Sequence, residues 1–190
     1  MDRTAKIIRK TSETNLSIEL NLDGSGENNV DSSLKFIDHM LRILAKHSNC
    51  DLNVSANGDL THHIVEDIGI ALGECFQKAL GDKKGINRYG FALIPMDETL
   101  ARCALDFSGR QSLILNLNLK ECEIEDVATE DITHFFTSFV ENAKMNLHLE
   151  ILYGEDQHHK VEAAFKALAR AIKQAKIIVT DDIPSTKGIL

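Results

Sequence analysis

The sequence predicts an α+β fold built from two similar halves, and three observations carry that prediction. Segments that alternate apolar and polar residues interleave with segments whose apolar residues recur every three or four positions, so strands and helices are mixed along the chain. The order of those segments repeats. Reactive residues repeat with it: His39 and His134 stand 95 positions apart (134 − 39), and His62 and His158, like Glu66 and Glu162, stand 96 apart (158 − 62; 162 − 66). A near-constant offset that carries the same histidines and glutamates marks an internal duplication.

In the first half, residues 5–8 and 16–22 alternate as half-buried strands do, and Asp23-Gly24-Ser25-Gly26 breaks the pattern. Residues 33–46 place Leu34, Ile37, Leu41, Leu44 and Ala45 at helical spacing. Residues 51–56 return to strand alternation, Asn57-Gly58-Asp59 turns, and residues 65–80 read as a long amphipathic helix ended by Gly81. In the second half, residues 100–107 and 112–119 read as strands, 131–145 as a helix, 146–152 as a strand and 158–175 as a helix. Residues 16–22 (LSIELNL) are similar to residues 113–119 (LILNLNL), so the expected unit is strand-strand-helix-strand-helix. The two repeats, approximately 1–93 and 94–190, together form a single catalytic domain. One unit alone would leave an apolar helix face open; the two are therefore expected to bury their helices against each other, with the sheets outside.

Composition narrows the partners. With 29 acidic against 21 basic residues the formal charge is −8, and the scattered cations form no basic face for nucleic acid. No long apolar run follows Met1, so neither a signal peptide nor a membrane span is expected, and the cytoplasm is the expected compartment. Cys50, Cys75, Cys103 and Cys122 include no C-x-x-C pair, which disfavours a cysteine zinc site or a redox motif and predicts reduced thiols.

The chemistry lies in His62-His63-Ile-Val-Glu66 and His158-His159-Lys-Val-Glu162. Imidazole nitrogens with a carboxylate oxygen suit a first-row divalent metal. Residues four apart share a helix face, so His62 and Glu66 can reach one ion, while His63 projects about 100° away and serves a second. With His39 and His134 added, six histidines and two glutamates divide into two sites of three histidines and one carboxylate, leaving two positions per six-coordinate ion for water and substrate. Affinity order favours zinc for such ligands, whereas six-coordination with a hard carboxylate suits manganese or iron. His148 has no counterpart in the first half and reads as a strand or surface histidine; the spacing of His47 leaves its role open.

Cations suited to a phosphate stand apart from these motifs. Arg88 in Gly-Ile-Asn-Arg-Tyr-Gly and Arg110 in Asp-Phe-Ser-Gly-Arg lie beside glycines that let backbone approach a ligand, and guanidinium matches phosphate geometry. The tail Pro184-Ser185-Thr186-Lys187-Gly188 adds hydroxyls and a lysine, and Lys166 follows Glu162 by four. Glu13 precedes a strand and is expected to have no counterpart acid in the second half, where Arg110 takes a comparable place; such asymmetry suits a general acid/base.

Over essentially its whole length the sequence resembles the imidazoleglycerol-phosphate dehydratase family. The matching motifs are Arg9-x-Thr-x-Glu13-Thr, residues 20–24 (LNLDG), Phe36-Ile-Asp-His-Met-Leu41, Gly58-Asp59, His62-His63-x-Val-Glu66-Asp67, residues 79–82 (ALGD), Pro95-Met-Asp-Glu98, Asp106-x-Ser-Gly-Arg110, His134-Phe-Phe136, the second His-His-x-x-Glu and Pro184-Ser-Thr-Lys-Gly188. The resemblance implies a duplicated fold like the second domain of ribosomal protein S5, and a homo-oligomer of about 24 subunits with active sites at subunit interfaces. It implies two manganese ions per site: one on His39, His63, His158 and Glu162, the other on His62, Glu66, His134 and His159. Glu13 becomes the acid/base, and Arg88, Arg110, Lys166, Ser185 and Lys187 hold substrate, with His39 and His47 also at the substrate pocket. The implied reaction dehydrates imidazole glycerol phosphate to imidazole acetol phosphate in histidine biosynthesis, the ions favouring the imidazolate form of the ring so that its electrons help expel hydroxide.

This sequence departs from the family pattern where residues 57–61 shorten the link before His62 and where Ile64 replaces a common threonine; no fused phosphatase domain, as in the bifunctional forms, is expected. Two other classes use the same residues. A binuclear metal phosphoesterase would release inorganic phosphate, and a metal-assembled scaffolding protein would use the sites only to join subunits.

Overall fold

The computed structural model describes residues 3–190. The first half runs β1 (Thr4–Lys10), β2 (Thr14–Asn21), β3 (Asn28–Asp31), α1 (Lys35–Ser48), β4 (Asp51–Gly58) and α2 (Thr61–Leu80). The second runs β5 (Tyr89–Met96), β6 (Thr99–Asp106), β7 (Ser112–Asn116), a small hairpin of β8 (Glu123–Ile124) and β9 (Val127–Ala128), α3 (Thr129–Ala143), β10 (Asn146–Tyr153) and α4 (Gln157–Ala175). Two four-stranded sheets have the orders β1-β2-β4-β3 and β5-β6-β10-β7, which is one topology used twice. The short third strand of each half joins its sheet parallel, against an otherwise antiparallel set. The fold is α+β and duplicated, as expected.

The repeating unit is larger than the sequence suggested, with three strands before the first helix. β3 hides because only Val30 of its four residues is buried. β5 hides because its outer face carries Phe91 and Leu93, which are exposed, so apolar residues fall on both faces and the alternation disappears. The likeness of residues 16–22 to 113–119 was therefore misleading. β7 ends at Asn116 and pairs with β10 as β3 pairs with β4. The counterpart of β2 is β6: buried Leu16, Ile18, Leu20 and Leu22 are answered by Ala101, Cys103, Leu105 and Phe107. Across β1 to β3 the repeat offset is 85 (98 − 13), and it rises to 95 only beyond the β8–β9 hairpin, which the first half lacks. Because β5 belongs to the second sheet, the repeats meet within residues 81–88 rather than near 93.

The helices lie between the sheets and pair across the halves, α2 with α3 and α1 with α4. Two glycines let α2 and α3 approach: a Cβ on Gly73 would stand 2.6 Å from the Phe139 carbonyl, and one on Gly69 2.9 Å from that of Phe135. Phe76, Phe135, Phe136, Phe139 and Phe165 are fully buried in mutual ring contact there. Each ring contributes about 1.5–3 kcal/mol of apolar burial, so the seam between the halves is as much core as either half. No helix among the described residues is long and apolar enough to cross a membrane. Cys50, Cys75 and Cys103 are buried and Cys122 exposed, all unpaired; burial pushes the Cys75 and Cys103 thiols up to about 12, leaving them inert.

Candidate active site

Where α1 meets α4, His39 Nε2 and His158 Nε2 each lie 3.2 Å from Oε2 of Glu162. These three donor atoms fall within 4.8 Å of one another, a spacing that a single cation can span. His158 and Glu162 are four apart on one helix face, and α1 brings His39 from the other half. The inserted hairpin builds this corner: Asp126 accepts the Phe36 N–H at 3.0 Å at the start of α1, and Glu125 approaches His158 Nδ1 at 3.5 Å. Phe36 packs edge-on against the His158 ring at 5.1 Å. Burial disfavours a charge on Glu162, yet Lys166 Nζ at 2.6 Å and His39 outweigh it and hold the carboxyl below its ordinary range.

Where α2 meets α3 the equivalent residues stand together more loosely. His62 Nε2 lies 4.0 Å from Glu66 Oε2, and the His62 and His134 rings are 4.7 Å apart between centroids. α2 starts at Thr61, earlier than the sequence pattern suggested, so both His62 and His63 lie in its first turn. Asp131 is buried and holds His62 Nδ1 at 2.8 Å. The expected pairing of His62 with Glu66 on one face is thus present.

His63 and His159 belong to neither cluster within the chain. His63 Nδ1 lies 2.7 Å from Asp59 and 4.0 Å from Glu13 Oε2, while His159 Nδ1 lies 2.8 Å from Glu98 Oε2. Each neighbouring carboxylate raises the histidine's pKa. The expectation that Glu13 has no acidic counterpart is overturned. Glu13-Thr14 in the β1–β2 turn corresponds to Glu98-Thr99 in the β5–β6 turn, and Arg110 lies elsewhere, after β6. The offset between the halves is 85 in these strands, which pairs Glu13 with Glu98, and not the 97 (110 − 13) that separates Glu13 from Arg110.

Four carboxylates that face histidine Nδ1 atoms are not apparent as such in the sequence: Asp59, Glu98 and Asp131, which hydrogen-bond them, and Glu125, which stands 3.5 Å off. Asp59 had a usable signal, standing four residues before His63. Glu98 had one in its Glu-Thr repeat of Glu13-Thr14. Asp131 had none, since its counterpart is Phe36, and Glu125 lies on the unrepeated hairpin.

The predicted cations split into two places. Arg88, Arg110, Ser185 and Lys187 line one pocket of about 680 Å³ with Tyr89 and Pro184. Arg88 donates twice to Asp106, at 2.7 and 3.0 Å, and once to the Pro184 carbonyl at 2.8 Å, so it anchors the tail that carries Ser185 and Lys187. Hydrogen bonding to Asp106 raises its pKa. Lys166 is not in that pocket; it stands at Glu162. His47 has its pKa lowered by burial and then by Lys166 and Arg170, which places it near the His39 cluster. His148 sits on the outer face of the second sheet, in register with Ala104 and Ile114.

Fold and site together define a duplicated α+β protein with a histidine–glutamate donor cluster on each helix pair that joins its halves. Comparison with known proteins gives the family. A family model described as imidazoleglycerol-phosphate dehydratase matches residues 32–172. The chain is 51% identical over 191 residues to the imidazoleglycerol-phosphate dehydratase of Chlorobium phaeobacteroides, covering 99% of this chain and 96% of that one. It is 48% identical to that of Chloroherpeton thalassium, covering 99% and 98%. Among solved structures, the Staphylococcus aureus dehydratase superposes with a TM-score of 0.86 at 36% identity, covering 93% of this chain and 99% of that one. The Pyrococcus furiosus enzyme in complex with (S)-C348 gives 0.85 at 33%, covering 97% and 100%. The chain belongs to the imidazoleglycerol-phosphate dehydratase family, hydro-lyases of histidine biosynthesis.

Proposed function

We propose that this protein dehydrates imidazole glycerol phosphate to imidazole acetol phosphate at sites shared between copies of the chain. The observation that carries the reading is the three-donor cluster of His39, His158 and Glu162 on one seam, with His134, His62 and Glu66 at the equivalent positions of the other, each set one ligand short of the expected four. Both donor sets fit a divalent cation by chemistry, and the His39, His158 and Glu162 set fits one by spacing as well. His63 would complete the first set and His159 the second, each supplied by a neighbouring copy. The outer face of the second sheet, with exposed Phe91, Leu93 and Ile114, offers the apolar surface that assembly requires. Manganese as the ion and 24 as the number of subunits follow from the family resemblance.

In this reading the cations, when bound, supply Lewis acidity that favours the imidazolate form of the substrate ring. The chain does the rest. Arg110, Ser185 and Lys187, on the frame set by Arg88 and Asp106, hold the phosphate and leave it uncleaved. Glu13 lies beside His63, so a copy that lends its His63 brings Glu13 with it. There the carboxylate takes the proton from the carbinol carbon one removed from the ring and delivers it toward the hydroxyl on the ring-attached carbon; that hydroxyl departs as water and the enol relaxes to the ketone. Lys166 and His47 face the same corner as His39 and bind substrate oxygen.

The test is to incubate manganese-loaded protein with imidazole glycerol phosphate and assay for the enolisable ketone. Ketone without inorganic phosphate is expected. Phosphate release would instead indicate a phosphoesterase, and assembly without turnover a scaffold. Chelation should dissociate the particle, because the fourth ligand crosses between copies.

A further inference from the structure

Glu13 and Glu98 occupy the same place in the two halves, yet their surroundings differ completely. Asp59 already occupies His63 Nδ1 at 2.7 Å, and Glu13 stands off at 4.0 Å with its carboxylate exposed. In the second half the residue equivalent to Asp59 is Glu155, whose backbone N–H donates to Glu98 Oε1 at 3.1 Å. Oε1 also accepts the Asp156 N–H at 3.0 Å and the Thr99 hydroxyl at 2.9 Å. Oε2 faces His159 Nδ1 at 2.8 Å. One oxygen therefore fixes the loop that enters α4, and the other fixes the histidine.

We infer that Glu98 is a positioning residue that sets the ring orientation and tautomer of His159, so that Nε2 presents a lone pair to the metal site of a neighbouring copy. An ionised carboxylate only accepts, so Nδ1 turns its proton toward Glu98, and Nε2, 3.6 Å from Asp97 Oδ2, is the nitrogen left to bind a metal. Duplication thus left one turn glutamate free to move protons and locked its twin into holding a ligand. The inference rests on the metal reading above, and the experiment separates the two.

Glu98→Gln discriminates between holding the loop and holding the tautomer. The amide carbonyl still accepts the two backbone N–H groups and the Thr99 hydroxyl, while the amide nitrogen, in place of Oε2, donates to Nδ1 and drives the proton onto Nε2. Mn2+ titration read by the free-ion spin resonance signal counts ions per chain, and hydrogen exchange at residues 155–156 reports the loop. The unsubstituted protein should take two ions per chain. Glu98→Gln should keep one at unchanged affinity and weaken the other about 10–100-fold, with exchange at 155–156 unaltered; Glu13→Gln should keep both. Two unweakened ions in Glu98→Gln would overturn the inference. So would loss of protection at 155–156, or failure to fold, since either makes the role structural. An unsubstituted protein that binds no Mn2+ would remove the metal reading itself, a result seen before any variant is made.

Discussion

The two donor clusters keep the same ligands and share almost none of their surroundings. At the α1–α4 seam Glu162 is nearly buried, with 10% of its side chain exposed, and is engaged by Lys166. At the α2–α3 seam Glu66 is 42% exposed, and the position equivalent to Lys166 is Ile70. His62 is held by Asp131, whereas His158 packs on Phe36, the residue equivalent to Asp131. Six donor positions stayed fixed while the residues around them diverged. Residue types are thus common to both halves, while spacing and tuning belong to each separately.

The most direct way to break this comparison is to ask whether the halves are chemically equivalent. Glu13→Gln should lower kcat by about 10²–10⁴-fold, the range of a lost general acid/base, while Mn2+ stoichiometry and particle size stay as they were; kcat within a few-fold of the parent would show that the free turn glutamate is idle. The pocket proposed for phosphate is likewise confined to the second half, for Arg3, the equivalent of Arg88, is spent on Asp23 and the Lys176 carbonyl. Arg110→Ala should raise KM about 10–100-fold with little change in kcat, because a charge-assisted bond of about 1.5–3 kcal/mol is lost equally from bound substrate and transition state. A fall in kcat at constant KM would place Arg110 in the chemistry instead.

Most of the fold was legible because burial writes periodicity. The alternation of Leu16, Ile18 and Leu20 and the helical spacing of Ile37, Leu41 and Leu44 follow from one buried face each. β5 was not legible, since Phe91 and Leu93 are apolar and exposed, for reasons that lie outside a single chain. The candidate ligands stood out because duplication repeated them, and the structure brings His39, His158 and Glu162 together; the placing of His63 and His159 came from the family resemblance. What stayed hidden were the carboxylates behind the histidines. Asp131 and Glu98 reach His62 and His159 across 69 and 61 residues, distances at which sequence carries no local pattern.

Copying one half into the other sharpens the comparison further. Lys166→Ile installs the Ile70 environment beside Glu162. With the 2.6 Å ion pair gone, the carboxylate no longer has a cation to displace before taking a metal. A partly exposed pair contributes about 1 kcal/mol, so Mn2+ should bind the His39 cluster about fivefold more tightly. Unchanged affinity would mean that Lys166 leaves Glu162 at no cost.

The smallest effect concerns stability. Asp51 accepts backbone N–H groups from Ser25, Gly26 and Glu27 at 2.8, 3.1 and 3.0 Å, whereas its equivalent in the second half is Asn146. Burial pushes its carboxyl up, but those three donors together outweigh burial and hold it below the ordinary aspartate value. A depressed folded-state pKa means that the ionised form binds the turn better. Its stabilising contribution is therefore complete above about pH 3.9, the unfolded value, and drains away as pH falls through the lower folded value. Asp51→Asn should reduce stability modestly at neutral pH and flatten the acid limb of the Tm–pH curve between about pH 4 and 2, because the amide keeps an acceptor but has no charge to lose. An acid limb identical to the parent's would shift that sensitivity to other carboxylates and leave the halves alike in this respect.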